Sequence, residues 1–326
     1  MGIVCCQSFP DMLSSRPMRE KKQKSRHVAT IDFSKLPTEQ PNPRSKKIHQ
    51  LSIPEILSVM NKEDEGVPKA IRSVKPRIAK AVKMIVRSLK NRGRLFFAGA
   101  GTSGRLGFME AAECPPTFNT PPLLVQAVMA GGRRAVFRSK EGAEDRREEA
   151  LRIFQKKLRA NDVLVGIAAS GVTPFVQGAL AAAKEKNAAT ILIACNTDSP
   201  LRGLVDCLIA PKTGSEIITG STRLKAGTAA KLILNMLTVT SMIQLGKVYQ
   251  NWMIDLQPKS KKLYARALRI IQEIGSVSNQ EAEHYLGRAK KNVKVAIVMA
   301  KKKLDYQKAS QKLKETSGFL EKALAQ

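Results

Sequence analysis

Two turns rich in glycine, serine and threonine carry residue types that bind phosphate. The first spans residues 99–105 with the sequence GAGTSGR, and the second spans 169–174 with the sequence ASGVTP. Glycine lets a backbone approach a ligand closely, a helix N-terminus attracts anions, and hydroxyls add donors without charge. The candidate residues for binding a phosphorylated metabolite are Gly101, Thr102, Ser103, Gly104, Ser170, Gly171 and Thr173.

Each turn alone has a simpler explanation as a tight connection between a strand and a helix. Neither turn is a Walker A loop, because no Gly-Lys-Ser or Gly-Lys-Thr closes it. The first differs from a dinucleotide fingerprint in its spacing, with Ser103 and Arg105 in place of the usual residues. The occurrence of two such turns in one chain favours a phosphorylated ligand.

Two glutamates could do acid and base chemistry. Glu113 lies in the segment ECPPT, where Pro115 and Pro116 are expected to end the helix that follows the first turn, and Glu144 lies in EGAED. Two carboxylates that reach one sugar can divide acid and base work when their surroundings separate their pKa values. The alternative is that EGAED begins a plain charged helix face.

A third polar run, residues 214–228, precedes a strongly apolar helical pattern. Ser221 or Thr222 can cap that helix. Arg223 and Lys225 could complete an anion site, or they could be surface charges beside the cap.

Apolar runs and periodic patterns predict the elements that must position these residues. Short apolar runs that alternate with helical patterns indicate a parallel sheet covered on both faces. Ligands of such sheets bind beyond the carboxyl ends of the strands, which is where both turns fall. The predicted strands are residues 94–98, 123–129, 162–168, 190–195 and 207–210, and the predicted helices before residue 258 include 51–60, 67–89, 174–185 and 222–249.

The chain changes character after Pro258, where no strand pattern follows. The helices predicted there are 261–274, 279–290, 293–301 and 310–324. The predicted domains are a basic flexible N-terminal tail (1–28), an α/β domain with an N-terminal helical segment (29–258) and a small all-helical C-terminal domain (259–326).

Composition narrows the class of protein. The 326 residues carry a formal net charge of +29, with 43% hydrophobic residues and five cysteines. This excludes a disordered chain and a small disulfide scaffold, and no apolar run is long enough to predict a membrane span. No cysteine has a His or a second Cys at metal-ligand spacing, so no metal site is predicted. The charge leaves nucleic-acid binding open, but interleaved aromatic residues are missing.

The N-terminus differs from the rest of the chain. Gly2, Cys5, Cys6 and a later basic run resemble an acylated anchor, but Cys6 stands where the myristoylation pattern has Ser or Thr. The alternative, which we favour, is a flexible basic tail.

Three long segments resemble the motifs of the N-acetylmuramic acid 6-phosphate etherases. They are GAGTSGRLGFMEAAECPPTF from residue 99, GIAASGVTPFVQGAL from residue 166 and GSEIITGSTRLKAGTAAKLILNML from residue 214. TEQPNP at 38–43 and LGKVYQNWMIDLQP at 245–258 extend the resemblance, which covers residues 29–326. The animal glucokinase regulatory proteins are related, with two sugar isomerase domains in a longer chain.

The resemblance implies a sugar isomerase (SIS) fold, a flavodoxin-like three-layer α/β/α sandwich with a small helical C-terminal domain. It implies a cytoplasmic homodimeric lyase of amino sugar catabolism and peptidoglycan recycling, with no cofactor, no metal and no nucleic-acid or membrane partner. The implied reaction cleaves the lactyl ether by elimination and hydration, giving N-acetylglucosamine 6-phosphate and D-lactate. A non-catalytic regulator that binds sugar phosphate on the same fold is the alternative.

The resemblance also implies roles for individual residues. Glu113 matches the family's proton donor and Glu144 its second catalytic glutamate, and which of them is the acid and which the base stays open. The implied substrate-binding residues are those of the two turns together with Glu216, Ser221, Arg223 and Lys225.

Overall fold

Five short apolar runs form a single parallel sheet in a computed structural model of the chain, which describes residues 32–325. The strands lie in the order β2-β1-β3-β4-β5, and every neighbouring pair is parallel. The predicted sheet is therefore confirmed. The strands are β1 (Leu95–Gly99), β2 (Val125–Met129), β3 (Val163–Ile167), β4 (Ala189–Ile193) and β5 (Cys207–Ile209).

Helices cover both faces of the sheet because successive strand residues point in opposite directions. Phe97 packs in an apolar cluster with the helices on one face, and the adjacent Phe96 packs in the cluster on the other. The first face carries α2 (Gly66–Ser73), α3 (Lys75–Lys90), α4 (Gly101–Phe118) and α8 (Lys225–Gln244). The second face carries α6 (Arg147–Lys157) and α7 (Pro174–Glu185). This is the expected three-layer sandwich.

The N-terminal part of the described chain is made of short helical pieces. Four 3₁₀ turns, Phe33–Lys35, Pro37–Glu39, Pro43–Ser45 and Ile48–Gln50, precede α1 (Ile53–Asp64). The predicted N-cap of α1 is confirmed: the backbone N–H of Ser52 donates to the Glu55 carboxylate at 2.7 Å, as in a capping box. The tail predicted for residues 1–28 and the acyl-anchor alternative lie outside the described residues.

The C-terminal helices have an apolar core of their own. Ile271, Ile297 and Leu313 are among the buried residues of this cluster, which begins at Ile254. Asp255 connects the preceding segment to the helices through ion pairs to Lys247 at 2.8 Å and Lys294 at 3.1 Å. The helices are α9 (Lys261–Gly275), α10 (Asn279–Arg288), α11 (Val293–Lys302), α12 (Tyr306–Glu315) and α13 (Leu320–Ala325).

Two predicted helices are interrupted in the structure, and a third is shorter at both ends. The helix predicted over 67–89 is interrupted at Val74, because Pro76 has no N–H to bond the carbonyl one turn earlier and instead stands in the first turn of α3. The helix predicted over 310–324 is interrupted at Ser317 and Gly318, which both have positive φ. The helix predicted over 222–249 spans only Lys225–Gln244, and Gly246, with a φ of +70°, follows its end.

The prolines of ECPPT do not end α4, which was the expectation. The helix continues through Pro115 and Pro116 to Phe118, and Asn119, with a φ of +51°, closes it. A proline removes only its own N–H, so the two missing bonds belong to carbonyls one turn earlier. The helix then ends normally, with the Asn119 N–H bonded to the carbonyl of Pro115 at 2.9 Å.

Among the described helices, one is long and apolar enough to cross a membrane by length and composition. It is α8, and 56% of its most apolar window is buried inside the protein. Its buried side includes Ile233, Leu234 and Leu237, which pack in the core beneath the sheet. A helix buried in a protein core meets the same criteria of length and composition.

Candidate active site

The sheet order brings the two Gly/Ser turns together. β1 lies between β2 and β3, so the chain runs from β1 to β2 on one side and then crosses to β3 on the other side of β1. Ligands of parallel sheets bind at such a switch point. Gly99, the last residue of β1, is paired with Ile167, the last residue of β3. The turns that open α4 and α7 therefore start from adjacent strand ends.

The first turn is shaped by a close approach of α4 to the sheet. A Cβ atom at Gly104 would lie 2.6 Å from the Cβ of Met129 and 2.9 Å from the carbonyl oxygen of Gly99. Gly101 has a φ of +52°, which favours glycine. No side chain of residues 32–325 caps α4. Its first N–H groups are therefore available to an anion.

A cavity of about 230 Å³ opens at the start of α4. One wall is the first turn, a second is the end of β2, and a third is the segment between β2 and α6. The polar and charged residues that line it are Thr102, Ser103, Arg105, Ser139, Lys140, Glu141, Glu144 and Thr222. The structure thus brings Glu144 to the same cavity as Gly101, Thr102 and Ser103.

Arg105 fixes the segment that leads to Glu144. Its guanidinium donates to the carbonyl oxygens of Ala135 and Val136, both at 2.9 Å, on the short helix α5 (Arg134–Phe137). These bonds occupy the guanidinium of Arg105, which therefore holds α5 in place beside the cavity.

Glu144 lies between the two turns. Its side chain is half-buried and lines the cavity at the first turn. Its backbone carbonyl accepts a hydrogen bond at 2.8 Å from the N–H of Phe175, in the first turn of α7. The second turn, with Ser170, Gly171 and Thr173, begins α7 and thus lies next to Glu144, although it does not line the cavity.

Glu113 is not at this cavity. It lies on α4 twelve positions after Gly101, roughly 18 Å along the axis at about 1.5 Å per residue. Its side chain is exposed. Within one chain, therefore, the structure does not bring the two candidate catalytic carboxylates together.

Glu216 caps α8 from a distance in sequence. Its carboxylate accepts from the backbone N–H groups of Lys225 and Ala226, both at 2.9 Å, and the residue is only 1% exposed. The expectation that Ser221 or Thr222 caps this helix is therefore wrong, because the helix begins after them and Glu216 occupies its N-terminus. Because the Glu216 carboxylate offsets the positive N-terminus of α8, the positive helix end at the cavity is the N-terminus of α4.

Lys225 is part of a buried network beside that cap. Its ammonium donates to Glu63 at 2.5 Å, and Glu63 also accepts from Asn42 at 2.8 Å and from Arg44 at 2.9 Å. Burial disfavours the charged form of Glu63, but the hydrogen bonds from Lys225, Asn42 and Arg44 outweigh it and lower the pKa of Glu63 to about 2. Glu216 and Lys225 are thus engaged away from the cavity, and their role in substrate binding stays a prediction.

Ser221 and Arg223 flank Thr222, the residue of this loop that lines the cavity. Ser221 is half-buried and Arg223 is exposed. The N-terminal segment supports the loop, because the Gly220 N–H donates to the carbonyl of Thr38 at 3.2 Å and Asn42 donates to the carbonyl of Ser215 at 3.1 Å.

α4 and α8 are linked by a buried carboxylate one turn before Glu113. Glu110, 5% exposed, accepts from Asn235 at 2.8 Å and from the hydroxyl of Thr238. Cys114 is buried beside it, and burial, together with the charges of Glu110 and Glu113, raises the pKa of the thiol to about 12. No group of three His, Cys, Asp or Glu side chains able to hold a metal occurs in the described part of the chain.

Sequence reasoning missed several residues of this region. The sequence predicts Thr222 only as a cap, and Lys140 and Glu141 lie in an ordinary charged run. Asn42 and Glu63 gave no signal of a shared site, because 21 positions separate them along the chain. Both residues lie in segments that resemble the family, TEQPNP and MNKED, but the resemblance assigns neither of them a role.

Two models of protein families match parts of the chain. Residues 77–184 match the glucokinase regulatory protein N-terminal SIS domain, and residues 250–294 match the C-terminal lid domain of glucokinase regulatory protein. The first match covers β1 to β3 and both turns, which agrees with the sheet described above.

Curated relatives match almost the whole chain. The N-acetylmuramic acid 6-phosphate etherase of Geobacillus thermodenitrificans (strain NG80-2) is 47% identical over 290 residues, which is 89% of this chain and 98% of the relative. That of Glaesserella parasuis serovar 5 (strain SH0165) is 48% identical over 88% of this chain and 94% of its own. The chain belongs to the N-acetylmuramic acid 6-phosphate etherase family. The etherase of Oceanobacillus iheyensis, 47% identical over 89% of this chain and 99% of its own, is another relative.

Family membership confirms the resemblance drawn from the motifs. The matched region includes the first turn, Glu113 and Glu144. The two glutamates that are predicted to be catalytic are separated within one chain.

Proposed function

We propose that this chain cleaves the D-lactyl ether of N-acetylmuramic acid 6-phosphate, giving N-acetylglucosamine 6-phosphate and D-lactate. The observation that carries the proposal is the 47% identity over 98% of an etherase. The regulator alternative is not favoured, because the relatives that match the whole chain are etherases and Glu113 and Glu144 both stand in their motifs.

The start of α4 suits the phosphate of the substrate. Its uncapped N–H groups carry the positive end of the helix dipole, and the hydroxyls of Thr102 and Ser103 line the same cavity. A phosphate seated there directs the sugar carbons along the cavity toward Glu144.

The chemistry proceeds by elimination followed by addition of water. A base removes the proton from C2 of the open-chain sugar, whose aldehyde makes that proton acidic, and the electron pair forms the C2–C3 double bond. The C3–O bond breaks, and the lactyl oxygen takes a proton to leave as D-lactate. Water then adds a hydroxyl to C3 and a proton to C2, which completes N-acetylglucosamine 6-phosphate.

Release of D-lactate from purified protein and substrate tests the proposal. Glu113→Gln and Glu144→Gln are each expected to lower kcat by at least about 100-fold, the usual range for a lost acid or base. Glu148→Gln, an exposed carboxylate on α6, is the matched control and is expected to leave kcat unchanged. No D-lactate from the native protein, or full activity in both variants, would refute the function.

Deuterium exchange separates the two roles. A variant that lacks only the acid still exchanges the C2 proton with D₂O, because the base remains, whereas a variant that lacks the base does neither reaction. The variant that exchanges without releasing lactate identifies its missing residue as the acid.

We also propose that the active enzyme is a homodimer in which Glu113 of one chain serves the cavity of the other. The support is geometric: roughly 18 Å of helix separate Glu113 from the start of α4, and a hexose phosphate is shorter than that. Glu113 shares an exposed face of α4 with Met109, which is 41% exposed. That face lies beside α8, to which Glu110 is bonded.

Mixing two inactive variants tests the shared site. If Glu113 acts across the dimer, Glu113→Gln and Glu144→Gln chains that are unfolded and refolded together form mixed dimers with one intact site. Half of the dimers would be mixed, so up to a quarter of the native activity is expected. If both glutamates act within one chain, the mixture stays inactive, as each variant refolded alone does.

We further propose that the protein acts in the cytoplasm, in peptidoglycan recycling. We also propose that residues 259–326 form a distinct helical domain. Cys114, Cys195 and Cys207 are free and buried, which suits a reducing compartment. The separate apolar core from Ile254 onward supports the domain. Cell fractionation followed by the lactate assay tests the compartment, and activity confined to a secreted fraction would contradict it.

A further inference from the structure

One cation at the active-site cavity is not engaged by the protein. The ammonium of Lys140 makes no hydrogen bond and no ion pair with any of the described residues, although Lys140 lines the cavity together with Glu141 and Glu144. The other cation in the lining, Arg105, is bonded to two carbonyl oxygens of α5. Lys140 is thus the lining cation that remains available to a ligand.

The backbone holds Lys140 at the cavity. The Ala143 N–H bonds to the Lys140 carbonyl at 3.4 Å, closing a turn in which Gly142 has a φ of +71°. This turn keeps Lys140 close to Glu144. The stem of Lys140 packs on Gly131, where a Cβ would lie 3.1 Å from the Lys140 Cδ. The side chain therefore crosses the glycine corner after β2.

The proposed substrate carries two anionic groups, and the cavity offers each a different counterpart. The phosphate matches the N–H groups and hydroxyls at the start of α4. The lactyl carboxylate hangs from the oxygen at C3, the carbon next to C2, so it lies close to the reacting carbons at the cavity that Glu144 lines. The carboxylates of Glu141 and Glu144 line the same cavity and, when ionised, would repel the lactyl carboxylate unless a cation intervenes.

We infer that Lys140 is a specificity-determining residue whose ammonium binds the lactyl carboxylate of the substrate. This inference rests on the proposed function. It accounts for a lysine that lines the cavity with two carboxylates and has no hydrogen bond or ion pair among the described residues. The ion pair forms with the bound substrate and persists as the ether breaks, so it lowers KM more than it raises kcat.

A comparison of two ligands tests the assignment. N-acetylglucosamine 6-phosphate has the phosphate but lacks the lactyl carboxylate, so it serves as a competitive inhibitor that Lys140 does not recognise. Lys140→Met keeps the stem on Gly131 and removes the charge. We expect KM for N-acetylmuramic acid 6-phosphate to rise roughly ten-fold, while the inhibition constant of N-acetylglucosamine 6-phosphate changes less than about two-fold.

Two further variants serve as controls. Lys140→Arg retains the charge and is expected to restore most of the affinity. Arg138→Met removes an exposed cation two residues away that does not line the cavity, and it is expected to leave both constants unchanged. Equal weakening by Arg138→Met would assign the effect to the general positive field, which would overturn the inference.

The outcomes separate the inference from the function on which it rests. An active native enzyme with an unchanged KM in Lys140→Met refutes the inference alone, and a parallel rise in the inhibition constant places Lys140 on the phosphate and also refutes it. If the native protein releases no D-lactate, the proposed function fails. Calorimetric Kd values of the two ligands then replace KM and the inhibition constant, and the same ratio decides the role of Lys140.

Discussion

Gly104 shows how a single atom controls the candidate phosphate site. The space where its Cβ would stand is occupied by Met129 and by the backbone of Gly99. This close contact lets α4 start directly at the strand end, so that its N–H groups face the cavity. Sequence reasoning identified Gly104 as a ligand-binding candidate, whereas the structure places it behind the turn as a packing residue.

We expect Gly104→Ala to weaken substrate binding and to destabilise the fold by about 1–3 kcal/mol, the usual cost of overpacking. The added methyl pushes α4 away from β1 and β2. The rise in KM and the fall in the urea unfolding free energy measure the two effects. The matched control is Gly66→Ala, because nothing lies within 4 Å of a Cβ at Gly66. Equal behaviour of the two variants would contradict this account.

Cys114 is expected to resist alkylation although it neighbours a candidate catalytic residue. It is 1% exposed, and its pKa of about 12 leaves about one thiolate in ten thousand at pH 8. Peptide mass analysis after iodoacetamide treatment should find Cys114 unmodified in folded protein and modified in urea. Rapid labelling of the folded protein would show that the end of α4 opens.

At the scale of elements, the start of α8 is held by residues from distant parts of the chain. Glu216 caps it, Lys225 reaches Glu63 on α1, and Asn42 bonds both Glu63 and the loop before the helix. These contacts set the position of the loop that carries Thr222 into the cavity. The alternative reading of Arg223 and Lys225 as surface charges is wrong for Lys225, which is only 4% exposed.

We expect Glu63→Gln to destabilise the protein by about 3–5 kcal/mol, because it leaves the buried ammonium of Lys225 without its countercharge. Urea unfolding at pH 7 measures the change. Arg44→Met, which removes a partner that is 69% exposed, is expected to cost less than about 1 kcal/mol. The double variant Glu63→Gln, Lys225→Met should be more stable than Glu63→Gln alone, and a less stable double variant would contradict the argument.

The same pair predicts a dependence on pH. The pKa of Glu63 is lowered from its ordinary 4.5 to about 2 in the folded protein. Its ionised form therefore stabilises the fold fully above pH 4.5, and this contribution is lost as the pH falls toward 2. The difference in unfolding free energy between the native protein and Glu63→Gln should narrow across that window, and a constant difference would show that Glu63 does not titrate there.

At the scale of the whole molecule, α8 presents an apolar stripe to the outside. Met236, Val239 and Ile243 are 36–43% exposed and follow one another at steps of three and four residues, the spacing of a seam between two helices. The opposite side of α8 fills the core. A helix that packs on the core needs only one apolar side. The exposed stripe of Met236, Val239 and Ile243 is a second apolar side, which is available to another chain.

We expect Val239→Lys to yield a monomer with a nearly unchanged Tm, because Val239 is outside the core. Light scattering should report 35.7 kDa instead of twice that mass. D-lactate release should be lost if Glu113 acts across the dimer. The control, Leu123→Lys, changes an apolar residue that is 68% exposed before β2 and is expected to remain dimeric. A dimeric Val239→Lys variant would place the interface elsewhere.

Local patterns were enough to predict all five strands and most helices, because apolar periodicity and turn residues act within a few positions of the chain. They failed where a local signal was modified by its surroundings. Pro76 splits a pattern that is continuous by periodicity, whereas Pro115 and Pro116 lie inside a helix whose later N–H groups still find carbonyls. The cap of α8 was missed because Glu216 reaches it from nine positions away.

The family, the α/β class and the two turns are predictable without a structure, because each depends on residue types in continuous segments. Which residues share a cavity is visible in the fold alone, because it depends on strand order and on how closely α4 approaches the sheet. The fold joined Glu144 and Lys140 to the first turn and placed Lys225 in the buried network. It also placed Glu113 roughly 18 Å along α4 from the cavity, since a helix cannot turn residues twelve positions apart toward one ligand.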